Sequence, residues 1–588
     1  MPQGHPKLPA LPRRRTAPNW SALALLAVGI ALIAGPLILS LWRSLAPSSA
    51  PPMALLSPPP PLASPELAWS LGAPLAIALT ATALAWPTCW LLLSLPPHRR
   101  RALAILIALP ALMPSTLSFA GWGLLTSPVG PLHALPQMLI ARGNPELPIL
   151  LNKLVALASL ALWLWPLSTA LLWPALRSTP AGELDALAQL TPSYLRRTRT
   201  LLARHRRSVL TALGVAALLA TGATVPLHLA QVPSLGVSLW ARLALDPTAR
   251  SAWTIAWPLL PTCLALAIVL ARQASWPAPA AAAVELSRAA RPLPNALCGS
   301  LCLLAIACAL AGPLLAAVTL AGSRGSYALA WQDLTTVTPG FTTTPLTASA
   351  LVALLVALAS FALGALALRA SEPQNSPTPV ARWTRTTNTS RPAISLTAPL
   401  SLTLTLTVAI LALGASLPGV LIGAAIAGTI ATLTATLGLL VGQELTLGVF
   451  AVALGHIARL ALIPVLAGLV LARLEPPELA ETRRQLAGPG LRPWFRTTLR
   501  PALAPLAACA LACAALSLHE IEATIQLQPP GYRGVAQLLL DYLHMNSARQ
   551  LGATLTIIIG AALALALLGA GVAGARLWRG RWTETPGT

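Results

Sequence analysis

Residues 345–369 read PLTASALVALLVALASFALGALALR, with no acidic residue and with one basic residue only at the end. About 20 predominantly apolar residues suffice for a helix to cross the hydrocarbon core of a bilayer. The stretch therefore predicts a membrane-spanning helix. Comparable stretches recur along the chain, and we predict twelve spans in all: 20–42, 68–95, 102–124, 152–176, 208–230, 251–271, 296–320, 345–369, 396–422, 448–472, 502–525 and 550–575.

The composition of the whole chain agrees with this prediction. Of the 588 residues, 56% are hydrophobic and 9% are charged, whereas a soluble globular protein carries about 25% charged residues. So few charges cannot cover a soluble surface of this size. This excludes a soluble enzyme, a nucleic-acid-binding domain and a disordered chain. We predict an all-α polytopic membrane protein with about 12 transmembrane helices in a lipid bilayer and no nucleic-acid partner.

The distribution of basic residues predicts the orientation of the chain. With the N-terminus inside, cytoplasmic segments carry 30 of the 39 Lys and Arg residues, outer segments carry 8, and Arg459 lies within a span. This is the bias of the positive-inside rule, so the net charge of +23 is mainly a topology signal. We expect both termini in the cytoplasm. The first span follows Arg13–Arg15, but its apolar run exceeds the 7–15 residues of a signal-peptide core, so we expect a retained helix.

Four short sequence matches occur in the same order in the two halves of the chain and suggest an internal repeat. They pair Ala34-Gly35-Pro36-Leu37 with Ala311-Gly312-Pro313-Leu314, Pro74-Leu75 with Pro345-Leu346, Met113-Pro114-Ser115 with Leu417-Pro418-Gly419, and Gly222-Ala223-Thr224 with Glu522-Ala523-Thr524. The matches predict two parallel six-helix repeats around an axis along the membrane normal, with a pore between them.

The repeats set the expected domain boundaries. A cytoplasmic tail (1–19) precedes the first six-span unit (20–272), and a cytoplasmic linker (273–295) joins it to the second unit (296–576) and the C-terminal tail (577–588). One apolar stretch, 423–443, falls outside the twelve spans. It is interpreted either as a re-entrant or interfacial helix or as part of a longer ninth span.

Motifs for covalent or metal chemistry are absent from the sequence. The seven cysteines lie in apolar runs without a metal-ligand spacing such as CxxC, so we interpret them as small core residues and predict no metal site. No nucleophile–base set or carboxylate pair predicts a catalytic site. The two lysines, Lys7 and Lys153, do not follow a Gly-rich phosphate loop. ATP, if it is used, must bind to another subunit.

Two polar cytoplasmic loops occupy equivalent positions, between the fourth and fifth spans of each unit. Each is predicted to contain a short helix that has a proline near its start and acidic residues in its first turn. A turn then ends each helix, at Thr191-Pro192 in the first loop and at Gly488-Pro489-Gly490 in the second.

These loops are similar to the EAA loop of binding-protein-dependent ABC importer permeases. Gly488 and Pro501 keep the spacing of that motif, and its acidic-Ala-Ala part is degenerate, at Asp185-Ala186-Leu187 and near Glu481. The first loop has Thr191 where Gly is expected and Arg204 where Pro is expected. Further along, residues 517–524 and 529–532 resemble the end of fused permeases of the iron(III)/thiamine type. The resemblance covers roughly residues 20–575.

The resemblance implies a function and partners. The chain would be the fused permease subunit of a bacterial inner-membrane importer, which a periplasmic solute-binding protein supplies and a cytoplasmic ABC ATPase dimer drives. Iron(III) is the favoured solute, followed by thiamine. The family's coupling role would fall on these residues of the two loops: Glu183, Asp185, Ala186, Thr191, Glu478, Glu481, Gly488, Gly490 and Pro501.

Ionisable residues inside predicted spans are costly and are functional candidates by default. They are His456 and Arg459 in the tenth span, which share a helix face because they are three residues apart, and His519, Glu520 and Glu522 at the end of the eleventh. We favour a structural ion pair between Arg459 and Glu520. Alternatively, Glu520 and Glu522 line the outer mouth of a pathway.

Two other functions remain possible from the sequence. An ion-coupled secondary transporter would need mid-membrane carboxylates in several spans, and it would not need two equivalent docking loops. A polytopic membrane enzyme would need an acidic cluster in the outer loops, which hold mostly single acids. We therefore expect a transport subunit that is not itself an enzyme and carries no cofactor of its own.

Overall fold

The computed structural model describes most of the chain, and every statement below applies to those residues. They are 19–45, 65–113, 115–126, 132–143, 146–177, 179–191, 193–245, 249–274, 294–322, 324–337, 343–371, 402–437, 444–474, 491–529, 531–545, 547–561 and 563–564. Within these ranges the regular structure is helical and contains no strand. For brevity, the N-terminal half means residues up to 274 and the C-terminal half means residues from 294.

The N-terminal half contains long apolar helices that alternate with short ones. Its helices are Trp20–Leu45, Pro65–Ser94, Pro97–Leu112, Ser115–Thr126, Ala134–Ala141, Glu146–Arg177, Ala181–Leu190, Tyr194–Arg204, Arg206–Thr221, Thr224–Leu229, Leu235–Leu245, Ala249–Ala256 and Leu259–Ala274.

The C-terminal half follows a similar order. Its helices are Asn295–Ala321, Arg324–Thr335, Pro345–Ala370, Leu402–Ser416, Gly419–Leu437, Glu444–Leu460, Leu462–Leu474, Leu491–Ser517, Glu522–Leu527, Val535–His544 and a helix over 548–561.

Seven of the described helices are long and apolar enough to cross a membrane. The number rises to eight if Gly448–Leu460 and Leu462–Ala472, which are bent by 47°, form one span. Pro464 lies just after this bend, and proline removes a helix hydrogen bond and crowds the preceding turn. A chain with this many such helices has the character of a polytopic membrane protein.

Several of the predicted spans are broken in the structure. Spans 102–124, 208–230 and 251–271 are each divided into two helices, and span 550–575 is described only to residue 564. The ninth span divides at Leu417-Pro418, where proline disfavours the helical conformation of the preceding residue. Its second part is Gly419–Leu437. Residues 423–437 of the ambiguous segment therefore belong to the second helix of a broken ninth span.

The first long helix of each half carries the same irregularity. A π-helical turn occupies Ile30–Ala34 in one and Ala307–Ala311 in the other, and Gly-Pro follows each of them. Because proline lacks an N–H group, the preceding turn cannot keep its regular ladder and adopts wider hydrogen bonding. The matched tetrapeptides at 34–37 and 311–314 thus have matched local structure.

A second structural match corrects one of the sequence matches. Pro74 lies inside the helix Pro65–Ser94, whereas Pro345 begins its own helix, so these two prolines are not equivalent. A serine in the second turn of each of these helices makes the same kind of contact. Ser70 Oγ accepts a hydrogen bond from Leu235 N at 2.8 Å, and Ser349 Oγ accepts one from Val535 N at 2.8 Å.

The first helix of each half packs on the other half. Trp20–Leu45 packs against Pro345–Ala370 and both parts of the ninth span, while Asn295–Ala321 packs against Pro65–Ser94 and Ser115–Thr126. Glycines permit the close crossings: a Cβ on Gly414 would lie 2.5 Å from Ile33 Cδ1, and one on Gly312 would lie 2.4 Å from Trp122 Cε2. The hydrophobic core is consequently continuous between the halves.

Candidate functional site

Three helix breaks meet where the two halves face each other. One separates Arg206–Thr221 from Thr224–Leu229, a second separates Leu402–Ser416 from Gly419–Leu437, and a third separates Leu491–Ser517 from Glu522–Leu527. A break leaves backbone N–H and C=O groups without partners inside the helix. In a lipid environment each of these groups needs a partner within the protein.

Glu522 satisfies the N–H groups at two of these breaks. Its side chain is 4% exposed, and Oε1 accepts hydrogen bonds from Thr224 N at 2.6 Å and Val225 N at 3.2 Å. Its Oε2 accepts from Gly419 N at 2.7 Å. The first two donors belong to the N-terminal half and the third to the C-terminal half. One carboxylate therefore joins the two halves.

Arg459 satisfies the carbonyl groups at the same two breaks. Its Nη2 donates to Gly222 O at 2.8 Å, and its Nη1 donates to Leu417 O. The guanidinium also lies beside both acids, with Nε 3.6 Å from Glu520 Oε2 and Nη2 4.0 Å from Glu522 Oε2. These three side chains are named here the charge cluster (Arg459, Glu520 and Glu522). They contact one another as opposite charges and form hydrogen bonds to the surrounding backbone.

Two glycines make room for the charge cluster. A Cβ on Gly222 would lie 2.8 Å from Arg459 Nη1 and 2.9 Å from Ala415 O, and one on Gly419 would lie 2.6 Å from Glu522 Cβ. Gly222 has an ordinary helical conformation, with φ −79° and ψ −8°. It is therefore the volume of a side chain, and not backbone strain, that would disturb the site.

Two histidines extend the polar region around the charge cluster. The Thr524 hydroxyl donates to Glu520 O at 2.6 Å and therefore accepts from His456 Nε2, which lies 2.8 Å away. His519 also lines the region. Both of its ring nitrogens are shielded from solvent and have no hydrogen-bond partner among the described residues. His456 Nδ1 and Thr224 Oγ1 are likewise shielded and without a partner among the described residues.

The charge cluster borders a cavity of about 280 Å³ between the halves. Residues of the N-terminal half, among them Ser115, Trp163 and Val225, form one wall, and residues of the C-terminal half, among them Leu460 and Leu516, form the other. Most of the surface is apolar. The polar groups are concentrated at the charge cluster and His519.

The structure brings together the intramembrane residues that the sequence identified. Arg459 and Glu520 are close enough to form the ion pair favoured above, and His456 and Arg459 both face residues 520–524. Sequence reasoning missed Gly222, Gly419 and the backbone of Thr224 and Val225. The only signal available was the match of Gly222-Ala-Thr with Glu522-Ala-Thr, which places a residue without a side chain opposite a buried acid.

The first polar loop forms the predicted short helix, Ala181–Leu190, which we call the docking helix after the role proposed for it below. Pro180 is its N-cap, Glu183 lies in its first turn with Asp185 and Ala186 following, and Thr191 is its C-cap. In the second loop, Glu478, Glu481, Gly488 and Gly490 lie outside the described residues. Pro501 lies near the start of the α-helical part of Leu491–Ser517.

Two arginines fix the docking helix to the next helix, Tyr194–Arg204. Arg197 donates to Ala188 O at 2.9 Å and to Thr191 O, the last carbonyl groups of the docking helix, and Arg204 pairs with Glu183. Arg204 stands where the family motif would have proline. The side chain of Leu190, the last residue of the docking helix, is 80% exposed.

A buried histidine joins this loop to the end of the preceding helix. His205 is 8% exposed, and its Nε2 lies 3.0 Å from the Thr179 hydroxyl. Burial, together with the neighbouring charge of Arg204, lowers the pKa of His205 to about 4. The imidazole is therefore neutral at pH 7.

A metal site is not evident within the described ranges, which contain no group of three or more His, Cys, Asp and Glu side chains suited to a metal ion. Five of the seven cysteines are buried. No protein-family model, curated protein or solved structure matches the chain.

Proposed function

We propose that the protein is a membrane permease that moves a small solute through the cavity between its two halves. The observation that carries this proposal is the cavity itself, which both halves line and whose walls include the broken helices. Broken helices with polar groups at mid-membrane are the usual construction of a transport site. A mostly apolar cavity with few polar groups is also typical of small-molecule binding.

The proposal includes the architecture of two parallel six-helix repeats. It is supported by the matched π-helical turns and by the matched serine contacts of Ser70 and Ser349. It is also supported by the exchange of first helices between the halves. In this architecture the chain has 12 spans in the bacterial inner membrane, with both termini in the cytoplasm.

We further propose that a separate cytoplasmic ABC ATPase dimer drives transport and that the docking helix is one of its contact points. Because Arg197 and Arg204 hold this short helix to the next one, it can move as a rigid body and transmit a conformational change of the ATPase to the membrane helices. Its exposed Leu190 offers an apolar end to a groove on a partner. A periplasmic solute-binding protein would deliver the solute, for which iron(III) is favoured over thiamine because of the resemblance described above.

A purification experiment tests this proposal. The tagged chain is isolated from membranes of its own host, the bound proteins are identified by mass spectrometry, and ATP hydrolysis is measured. We expect an ABC ATPase and hydrolytic activity with the unmodified chain. The variant Leu190→Glu is expected to lose at least tenfold of both, because a charge would enter an apolar contact. Gln332→Glu, an exposed position in the helix Arg324–Thr335, serves as the control and should retain both.

Two results would contradict the proposal. If no ABC ATPase accompanies the unmodified chain and vesicles containing the purified chain take up solute under a pH gradient alone, the protein is an ion-coupled secondary transporter. If the ATPase is present but Leu190→Glu retains it in full, the docking helix is not its contact point.

A further inference from the structure

We infer that Arg459 and Glu522 form a latch that holds the two halves of the chain closed over the cavity. The inference rests on the proposed function, because it assumes that the halves separate during transport. It assigns to this buried pair a role beyond that of a structural ion pair. The sequence suggested only the contact between Arg459 and Glu520.

The contacts of the pair divide into two groups. Within the C-terminal half, Glu522 accepts from Gly419 N, and Arg459 donates to Leu417 O and lies beside Glu520. Between the halves, Glu522 accepts from Thr224 N and Val225 N, and Arg459 donates to Gly222 O. Separation of the halves would break the second group and leave the first intact.

This division suits a contact that opens and closes. Both charged side chains belong to the C-terminal half, so Glu522 keeps Arg459 beside it, and Arg459 keeps both Glu522 and Glu520, after the halves separate. A buried charge that lost its only partner would make opening very costly. The groups released from the N-terminal half are uncharged backbone atoms at a helix break. Gly222 and Val225, which carry two of these groups, line the cavity, where water or a polar solute can bind them.

The position of the latch places it in the wall of the cavity. Gly222, Val225, Arg459 and Glu522 all line the 280 Å³ space. Residues 222 and 223 separate Arg206–Thr221 from Thr224–Leu229, so the latch contacts the N-terminal half at a break in a helix. Movement of the backbone at this break would change the shape of the cavity without bending a continuous helix.

The two repeats supply the latch unequally. The residue that corresponds to Glu522 in the N-terminal half is Gly222, and the residue that corresponds to Glu520 is Ala220. A side chain at Gly222 would collide with the Arg459 guanidinium. One repeat therefore supplies the charged groups and the other the space and the backbone atoms. A symmetrical pair of acids would bring like charges together.

Thiol labelling of the purified chain in lipid nanodiscs tests the latch without solute or ATPase. Ser115→Cys places a thiol in the cavity wall by a nearly isosteric change, and the parent chain gives the background from native cysteines. A polar methanethiosulfonate reagent measures access. We expect Glu522→Gln and Gly222→Ala each to increase the labelling rate of the introduced thiol at least tenfold. These variants act from opposite halves on the same contact.

Gly214→Ala is the matched control for Gly222→Ala. Gly214 lies in the same region of the chain, in Arg206–Thr221, and a Cβ there would meet no atom within 4 Å. With this control, the introduced thiol should label at the rate seen for Ser115→Cys alone. Glu522→Asp provides a milder change if Glu522→Gln does not fold, and it should give an intermediate rate because a shorter carboxylate reaches fewer donors.

The latch is wrong if folded Glu522 and Gly222 variants label no faster than the chain that carries Ser115→Cys alone, or if Gly214→Ala accelerates labelling equally. Either result is independent of the ATPase experiment. If labelling is faster but no ATPase is associated with the chain, the latch is supported and the ATPase-driven mechanism is wrong. If an ATPase is associated but labelling is unchanged, the ATPase-driven mechanism is supported and the latch is wrong.

Discussion

At the scale of single residues, the most informative feature is that buried charges bind backbone groups. Arg459 and Glu522 serve the open ends of broken helices, which regular hydrogen bonding leaves unsatisfied. In water such ends would be solvated, and a buried ion pair would add little stability. Within a membrane no water is available, so a helix can break only if the protein itself satisfies the exposed backbone groups, as Arg459 and Glu522 do.

His205 gives a residue-scale prediction about pH. Its pKa in the folded loop is about 4, below the 6.5 of an unfolded chain, so between these values the unfolded loop binds the proton more readily. The stability that neutral His205 contributes to the loop is therefore fully present above pH 6.5 and is lost as the pH falls toward 4. We expect a loss of about 1 kcal/mol between pH 7 and pH 5.

Hydrogen–deuterium exchange of Tyr194–Arg204 measures this loss. After correction for intrinsic exchange rates, we expect the opening equilibrium to rise about fivefold from pH 7 to pH 5, the equivalent of about 1 kcal/mol. His205→Gln retains a polar side chain that does not titrate, and it should remove the pH dependence. The same slope in that variant would mean that another group is responsible.

At the scale of elements, the breaks and irregular turns in the helices determine where the charge cluster and the cavity lie. The π-helical turns at Ile30–Ala34 and Ala307–Ala311 and the break at Leu417-Pro418 all adjoin proline. The sequence shows where these prolines are, but it does not show whether each one kinks its helix or ends it. Proline at one position kinks a packed helix, as near Pro464, and at another it ends the helix. The difference depends on which groups surround the freed carbonyls.

The crossing at Gly312 gives an element-scale prediction. A methyl group there would meet the Trp122 ring at 2.4 Å, so Gly312→Ala should separate the helices and cost about 1–3 kcal/mol. Gly299→Ala lies in the same helix, and a Cβ there meets nothing within 4 Å. That control should be neutral or more stable by about 0.5–1 kcal/mol, because alanine favours helix. Thermal unfolding in detergent micelles compares the two, and equal midpoints would contradict the crossing.

At the scale of the whole molecule, the two halves are interlocked and not merely adjacent. The first helix of each packs on the other half, and Asn19 donates to Ala370 O at 2.8 Å at the end of one such crossing. The Glu522 contacts with Thr224 and Val225 add a polar link at the centre. These contacts do not depend on the covalent link between the halves.

Cleavage of the chain tests this interlocking. A protease site inserted within 275–293 allows the purified, folded protein to be cut between the halves. We expect the two fragments to remain together through size-exclusion chromatography in mild detergent, because separation would expose the crossed helices. Glu522→Gln should leave this association intact, since it removes only the central polar link. Fragments that separate at once would show that the linker is what holds the halves together.

The sequence by itself determined the helical membrane character, the approximate positions of most long helices and the short helix Ala181–Leu190 with its cap and acidic first turn. These features follow from composition, the length of apolar runs and local capping, all of which depend on residues that are close in the sequence. The sequence also singled out Arg459, Glu520 and Glu522, because charges within apolar runs are conspicuous.

Only the tertiary structure decided where several spans break, which half each first helix packs on and what Glu522 binds. Helices that are apolar on all sides carry little information about which face meets a neighbour and which meets lipid. The partners of Glu522 are backbone N–H groups, which every residue except proline possesses, so no side chain marks them in advance. They become distinctive only when helix breaks from both halves meet at one point.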